Sequence, residues 1–171
     1  VFPRTTEQVR QLGLWAIAEG VRLQPIGANT GLTGAGQPDD SGEMVVVSFE
    51  RMNARIDVDP IDGTAVVDAG VLLSQLNEAL EPHGLWFPID LGADPQIGGM
   101  VVTNTGGSRL VKYGDVRSRL LGLEVVLPDG EVVSQLAPLR KNNTGLDWKQ
   151  VLVGASGVYG FVTKATVQLA R

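Results

Sequence analysis

Two stretches of the chain have apolar residues at helical spacing. The first begins after Thr5, which can cap a helix while Gln8 completes a capping box, and it ends at Gly20. The second ends at Pro82 and Gly84. The apolar stripes consist of Val9, Leu12 and Ala16 in the first stretch and of Leu72, Leu73, Leu76 and Leu80 in the second. We therefore predict two amphipathic helices.

Other stretches have the patterns typical of strands. The predicted strands cover residues 22–26, 44–49, 55–59, 64–68, 125–127, 131–133 and 161–169. The continuous apolar run 44–49 indicates a buried strand rather than an edge strand, and the alternating run 161–169 indicates a half-buried closing strand. Turn signals at 60–63 and 128–130 predict two hairpins, which exclude a purely parallel doubly wound sheet. The sequence predicts an α+β domain of two lobes with mixed sheets and flanking helices, lobe one covering about 1–58 and lobe two about 64–171.

Composition excludes several classes of function. The formal net charge of −5 provides no basic surface for a nucleic-acid backbone. The absence of cysteine excludes a thiolate nucleophile, a zinc-thiolate site and a cysteinyl cofactor link. No apolar segment approaches the roughly 20 residues that span a bilayer, and the first residues do not resemble a signal peptide, so we expect a soluble, cytoplasmic protein. The chain begins and ends within strand-like sequence, and we expect further chain on both sides, most of it after Arg171.

Two glycine-rich stretches are the candidate ligand-binding elements. Residues 25–34 begin at the end of a predicted strand and carry small residues, hydroxyls and unobstructed backbone N–H groups. Residues 90–107 contain the pairs Gly98-Gly99 and Gly106-Gly107, which indicate positive φ or a close approach to another group. Converging N–H groups suit an anion such as a diphosphate, whereas tight turns alone are the alternative interpretation. Neither the P-loop pattern nor the Gly-x-Gly-x-x-Gly pattern is present.

The remaining candidates have weaker signals. His83, the single histidine, ends a helix and has no second histidine with which to form a metal site or a triad, so we predict a surface residue and no metal site. Asp90 and Asp94 form a possible carboxylate pair, although capping of the turn before Ile97 is the favoured interpretation. Residues 141–145, Lys-Asn-Asn-Thr-Gly, face a ligand or form a simple loop.

Five segments in order resemble the FAD-binding (PCMH-type) domain of the vanillyl-alcohol oxidase and para-cresol methylhydroxylase superfamily. These are residues 25–34 (PIGANTGLTG), 97–107 (IGGMVVTNTGG), 113–114 (YG), 121–130 (LGLEVVLPDG) and 140–145 (RKNNTG). Within the superfamily, the chain is most similar to the flavin-dependent D-2-hydroxy-acid dehydrogenases of the D-lactate, glycolate and D-2-hydroxyglutarate group. Residues 93–96 (Ala-Asp-Pro-Gln) and 158–159 (Val-Tyr) depart from the family pattern, the first at a stretch that usually carries glycine and serine near the flavin.

The resemblance implies one FAD-binding domain over residues 1–171, in which different segments contact different parts of FAD. Residues 27–33 would hold the FAD diphosphate, residues 97–107 would line the diphosphate and the isoalloxazine edge, and residues 154–157 with the start of the last strand would follow the adenosine half. The residues assigned to the cofactor in this way are Pro25, Gly27, Ala28, Asn29, Thr30, Gly31, Leu32, Thr33, Ile97, Gly98, Gly99, Thr103, Asn104, Gly106, Gly107, Gly157 and Val162. The loops lack the histidine or cysteine that covalent members use, so noncovalent FAD is expected.

The function implied is hydride transfer from C2 of a small D-2-hydroxy acid to flavin N5, giving the 2-oxo acid. No catalytic base is assigned, because the family's substrate-binding cap domain, with its histidines, follows the FAD domain and is absent from this chain. These residues alone are therefore expected to be inactive. Two alternatives stay open: a noncatalytic FAD-binding or electron-transfer subunit of a multi-subunit oxidase, and a flavin reductase of cell-wall sugar synthesis, which fits residues 142–145 less well. A homodimer or a partner subunit is compatible with either.

Overall fold

The structure is a computed structural model that describes residues 1–171. It contains six α-helices, one 3-10 turn and seven strands. The helices are α1 (Thr6–Glu19), α2 (Leu73–Leu80), α3 (Ile97–Thr103), α4 (Leu110–Tyr113), α5 (Val116–Arg119) and α6 (Lys149–Leu152), and the 3-10 turn is Glu81–His83. The strands are β1 (Arg22–Ile26), β2 (Met44–Ser48), β3 (Ile56–Asp59), β4 (Thr64–Asp68), β5 (Leu120–Val126), β6 (Val132–Gln135) and β7 (Phe161–Gln168). The α+β class is confirmed.

The strands form two sheets. β1 and β2 pair in parallel as a two-stranded sheet, and the other five form an antiparallel sheet in the order β3-β4-β7-β5-β6. Both predicted hairpins are present, as β3-β4 and β5-β6. The sheets divide between Ser48 and Ile56, and the division into two lobes with a boundary near residue 58 stays a prediction.

Two strand environments differ from the sequence prediction. β2 has one neighbour, so the expected buried strand lies in a two-stranded sheet, and its first three residues are half-buried. β7 is the central strand of the larger sheet and is buried along most of its length, because β4 and β5 flank it. Apolar runs do not reveal how many neighbours a strand acquires, since tertiary packing decides it.

Helix α1 begins and ends as its sequence predicts. The Thr5 side chain accepts a hydrogen bond from the Gln8 N–H, and Gly20 ends the helix in the left-handed conformation at φ 66°. The Gln8 side chain accepts from the Arg4 N–H at 2.6 Å, one residue before the position a standard capping box uses. The apolar stripe of α1 turns Val9 and Ala16 inward.

A partly buried polar network joins α1 to the large sheet. Glu124 on β5 and Lys164 on β7 face each other in register and form an ion pair. Thr6 donates to Glu124 at 2.5 Å, and Thr163 donates to the same carboxylate at 2.9 Å. Burial by itself raises the pKa of Glu124, but the hydrogen bonds from Lys164, Thr6 and Thr163 outweigh it and leave the pKa below its usual value. The network therefore anchors the first helix to the centre of the sheet.

The core is a single apolar cluster. It contains 28 buried residues drawn from α1, α2, α3 and both sheets, so all three longer helices pack on strands through their apolar faces. No helix has both the length and the hydropathy needed to cross a bilayer.

Candidate functional site

A cavity of about 420 Å³ lies where the two sheets meet. Its lining comes from the ends of β1 and β2, the β4–α2 connection, α2 and the residue before α3. The residues concerned are Ile26, Gly27, Ala28, Asn29, Ser48, Glu50, Asn53, Gly70, Leu72, Gln75 and Gln96. Glu50 is the one charged side chain among them. Five other lining residues carry neutral polar side chains, so polar side chains outnumber apolar ones in the lining. The first glycine-rich loop forms one wall of the cavity.

The loop from Gly27 to Thr33 has unused backbone donors. None of its amide N–H groups donates to an acceptor in the protein, and from Ala28 onward the residues are exposed. The loop bends at Asn29, which has φ 55° and accepts a hydrogen bond on its side chain from Gln37 at 2.8 Å. A run of unpaired N–H groups at the end of a strand is the arrangement that binds an anion such as a diphosphate.

Gly27 lets the backbone of the first loop pack closely against the side chain of Gln96. A Cβ atom on Gly27 would lie 3.3 Å from Oε1 of Gln96 and 3.9 Å from Cα of Gly99. Gln96 is 4% exposed, and its Oε1 is a buried side-chain atom that has no hydrogen-bond partner. A buried polar atom of this kind is rare in a folded protein and indicates a ligand at the site.

Helix α3 begins beside this cavity and is held by the connection after β4. Ile97 donates its N–H to the carbonyl of Val71 at 2.9 Å, and Gly98 donates to the carbonyl of Ala69 at 2.8 Å. The N–H of Gly99 has no acceptor, and a Cβ on Gly99 would meet nothing within 4 Å. Of the three predicted cofactor residues here, Ile97 and Gly98 are therefore engaged within the protein, and Gly99 presents an available donor.

The end of α3 contacts the loop at 154–157. Asn104, at φ 50°, ends the helix, donates to Asp115 at 2.9 Å and accepts from the N–H of Arg117. Burial alone raises the pKa of Asp115, but the hydrogen bonds from Asn104 and Ser118 leave the pKa below its usual value. Gly154 and Ser156 donate their N–H groups to carbonyls of α3. These hydrogen bonds join the second glycine-rich stretch, 90–107, to residues 154–157, which form the last glycine-rich segment of the chain.

The last segment also touches the first. Gly157 has φ 82°, and a Cβ there would lie 3.1 Å from Cγ of Pro25. Together with the Gly27–Gly99 approach, this contact brings three sequence motifs that are far apart in the chain to one side of the fold. Their proximity is the geometric basis for treating them as one site.

Other predicted site residues serve the fold. A Cβ on Gly107 would lie 2.5 Å from the carbonyl oxygen of Asp90, so the glycine permits a close approach of two backbone segments. Thr103 donates to the carbonyl of Gly99 within α3. Val162 is 4% exposed and belongs to the apolar core, so a ligand contact of this residue would involve its main chain. Gly106 is half-buried beside the side chain of Leu110.

The two carboxylates and the polar loop have separate positions. Asp90 accepts from Ser108 and Arg109, whereas Asp94 accepts from the N–H and the hydroxyl of Ser74 at the start of α2. The expected capping of the turn before Ile97 is therefore wrong, because each carboxylate is engaged elsewhere. His83 is exposed, as predicted. Residues 141–145 are exposed, and residues 141–144 help to line a separate cavity of about 260 Å³.

Outside residues 26–29, sequence reasoning missed the lining residues, which are Ser48, Glu50, Asn53, Gly70, Leu72, Gln75 and Gln96. A Cβ on Gly70 would lie 1.9 Å from the carbonyl oxygen of Phe49, so this glycine is required by packing. The unusual stretch 93–96 contains Gln96, and this departure from the family pattern was the available signal. No pattern marks Glu50 or Asn53, which reach the cavity only because the chain turns back after β2.

Comparison with known proteins identifies the class. The family model described as "FAD binding domain" matches residues 1–135, and the chain belongs to that family. FAD is therefore the cofactor that this domain binds. The observed geometry fits it: unpaired N–H groups suit the diphosphate, and the buried partnerless Gln96 oxygen adjoins a polar cavity.

Three individual proteins show how similar this chain is to known members of related families. The chain is 41% identical, over its whole length, to 37% of a D-2-hydroxyglutarate dehydrogenase from Stutzerimonas stutzeri. It is also 41% identical, over 99% of its length, to 32% of a mitochondrial D-2-hydroxyglutarate dehydrogenase from Danio rerio. A solved alkyldihydroxyacetonephosphate synthase superposes with a TM-score of 0.87 at 25% identity, over 99% of this chain and 31% of that one. The chain spans about a third of the length of these relatives.

Proposed function

We propose that this chain is the FAD-binding domain of an oxidoreductase that oxidises a small D-2-hydroxy acid to the 2-oxo acid. The observation that carries the proposal is the run of unpaired N–H groups at Gly27–Thr33 beside a polar cavity. The names of the related dehydrogenases support the substrate class. A D-lactate-like or glycolate-like substrate belongs to the same class and is tested by the experiment below.

The chain's own residues bind and orient the cofactor in this proposal. The amides of residues 27–33 donate to the diphosphate, and the amide of Gly99 donates to a cofactor oxygen beside it. By the resemblance, residues 97–107 would line the diphosphate and the isoalloxazine edge, and residues 154–157 with the main chain of Val162 would follow the adenosine half. When bound, FAD would accept the hydride that leaves C2 of the hydroxy acid. Glu50 is the one titratable residue that lines the cavity, and we assign no catalytic base.

FAD is held noncovalently in this proposal. The chain has no cysteine, and its single histidine, His83, is not among the residues that line the cavity. Acid precipitation of the loaded chain tests this directly, because noncovalent flavin stays in the supernatant. Flavin that remains in the protein pellet after washing in denaturant would contradict the proposal.

The activity is tested on the protein expressed from its complete reading frame and loaded with FAD. Under anaerobic conditions, D-2-hydroxyglutarate, D-lactate and glycolate are added in turn, and the absorbance of oxidised flavin is followed. We expect bleaching by at least one of these acids, and none by L-2-hydroxyglutarate or L-lactate. Dithionite serves as the positive control for a reducible flavin. Bleaching by dithionite but by none of the hydroxy acids would contradict the proposed function.

Location and assembly complete the proposal. We propose a cytoplasmic location, as the sequence analysis predicts. The Danio rerio relative, in contrast, is named as mitochondrial. Fractionation of the source cells tests the location. A homodimer or a partner subunit is tested by light scattering after size-exclusion chromatography.

A further inference from the structure

The carboxamide of Gln96 is the most unusual polar group in the fold. The residue is 4% exposed, and its Oε1 is buried without a hydrogen-bond partner. The backbone of the same residue is well used, since its carbonyl accepts from the N–H of Met100 at 3.0 Å. The backbone of Gln96 is therefore held at the start of α3, whereas its side-chain carboxamide oxygen has no partner.

The surroundings of Gln96 indicate what kind of group would satisfy it. Ser48, Asn53 and Gln75 contribute neutral polar groups to the cavity, and Glu50 contributes a carboxylate. No lysine or arginine lines the cavity. A phosphate is disfavoured beside an unpaired carboxylate, whereas hydroxyl and N–H groups are natural donors to carboxylate and amide oxygens. The cavity thus suits a neutral, donor-bearing part of the cofactor, with the diphosphate placed at the adjoining loop.

We propose that the Gln96 carboxamide hydrogen-bonds to a hydroxyl-bearing or N–H-bearing part of bound FAD, making Gln96 a determinant of cofactor affinity at the expense of the stability of the free domain. The proposal rests on the function proposed above, because it requires FAD in this cavity. The oxygen and nitrogen of a carboxamide exchange places by a half-turn of its terminal torsion, so Gln96 can present its oxygen to the cavity without moving the backbone.

The proposal predicts opposite effects on two measured quantities. A buried acceptor without a partner destabilises the FAD-free domain, and an apolar side chain of similar shape removes that penalty. The same replacement removes the hydrogen bond to the cofactor. Gln96→Met should therefore raise the melting temperature of the FAD-free chain by about 2–4 °C. It should also weaken FAD binding by about tenfold.

Gln75→Met is the matched control. Gln75 lines the same cavity, but its Oε1 already accepts from the N–H of Leu72 at 3.0 Å and caps α2. Its replacement breaks an existing hydrogen bond, so the melting temperature of the FAD-free chain should fall. The melting temperature of the FAD-free chain is thus expected to rise in Gln96→Met and to fall in Gln75→Met. A general effect of methionine in this cavity would shift both in the same direction.

The experiment combines differential scanning calorimetry of the FAD-free chains with calorimetric titration by FAD. A higher melting temperature together with weaker FAD binding in Gln96→Met supports the proposal. A lower melting temperature, or failure of Gln96→Met to fold, overturns it, because the carboxamide would then have a partner within the protein. Unchanged FAD affinity in Gln96→Met also overturns it while leaving the proposed function intact. Failure of the wild-type chain to bind FAD would contradict both.

Discussion

Gly98 and Ala69 are in such close contact that the side chain of Gly98 must be a hydrogen atom. A Cβ on Gly98 would lie 2.7 Å from Cβ of Ala69, and the Gly98 N–H donates to the Ala69 carbonyl at 2.8 Å. We expect Gly98→Ala to lower the free energy of unfolding by about 1–3 kcal/mol, because the added methyl pushes α3 away from the end of β4. Urea denaturation of the FAD-free chain measures this change.

The adjacent glycine is the control for that prediction. A Cβ on Gly99 would meet nothing within 4 Å, and helical alanine is favoured over glycine by about 0.5–1 kcal/mol. Gly99→Ala should therefore leave the free energy of unfolding unchanged or raise it slightly. Equal destabilisation by the two substitutions would show that the Gly98–Ala69 contact is not the cause.

The contact between Gly157 and Pro25 predicts a selective loss of cofactor affinity. Gly157→Ala places an L side chain at φ 82° and a methyl 3.1 Å from Pro25, so the last and first glycine-rich segments must separate. We expect FAD affinity to fall several-fold, and stability to fall by about 1–2 kcal/mol from the left-handed backbone. Titration with FAD and thermal unfolding measure the two effects.

Gly145→Ala isolates the backbone effect. Gly145 has φ 81°, nearly the same as Gly157, but a Cβ there would meet nothing within 4 Å. The two variants should lose similar stability, and Gly145→Ala should bind FAD as the wild type does. If Gly145→Ala loses as much FAD affinity as Gly157→Ala, the Pro25 contact does not position the site.

Much of the scaffold could be predicted from the sequence, because its signals are local. The Thr5 cap, the Gly20 stop and the two hairpin turns act within a few residues, and each predicted element is present. Helix α3 and the short helices α4, α5 and α6 were missed, and α3 shows why. Its first turn, Ile97-Gly98-Gly99, contains two residues of poor helix propensity, and the helix forms there because hydrogen bonds to Val71 and Ala69 hold it.

The site was predicted in part. The glycine-rich segments come together, but the sequence could not distinguish glycines that face open space, such as Gly99, from those required by close packing, such as Gly98 and Gly107. That distinction depends on which backbone lies opposite. Gln96 was not recognised for the same reason, since burial and the lack of a partner are properties of the folded chain.

The pKa of Glu124 predicts how the domain responds to acid. Because hydrogen bonds from Lys164, Thr6 and Thr163 outweigh burial and lower that pKa in the folded state, the contribution of Glu124 to stability is fully present above about pH 4.5. It is lost as the pH falls further and the carboxylate becomes protonated. Glu124→Gln should lower the free energy of unfolding at pH 7 by about 1–2 kcal/mol and reduce its dependence on pH in the acid range.

Denaturation series at several pH values test this prediction. Glu131→Gln is the control, because Glu131 is an exposed carboxylate at the neighbouring hairpin turn. It should retain the acid dependence of the wild type. An unchanged acid dependence in Glu124→Gln would exclude the network around Glu124 as its source.

Asn29 combines two properties that the first loop requires. It adopts φ 55°, and its side chain accepts from Gln37. We expect Asn29→Gly, which keeps the φ but loses the hydrogen bond, to weaken FAD binding less than Asn29→Ala, which loses both. The melting temperature of the FAD-free chain should change little in Asn29→Gly and fall slightly in Asn29→Ala, because alanine is strained at this φ. Equal FAD affinity in both variants and the wild type would contradict a role of this bend in binding.

Binding of FAD by the Gly27–Thr33 loop and the adjoining cavity is tested most directly by titrating the purified chain with FAD, followed by flavin fluorescence and absorbance. FMN and NAD serve as the comparison ligands. We expect saturable binding of FAD that is tighter than the binding of FMN, because the diphosphate and the adenosine half contact residues that FMN cannot reach. Absence of saturable FAD binding, or equal affinity for FAD and FMN, would contradict the assignment of these residues to the cofactor.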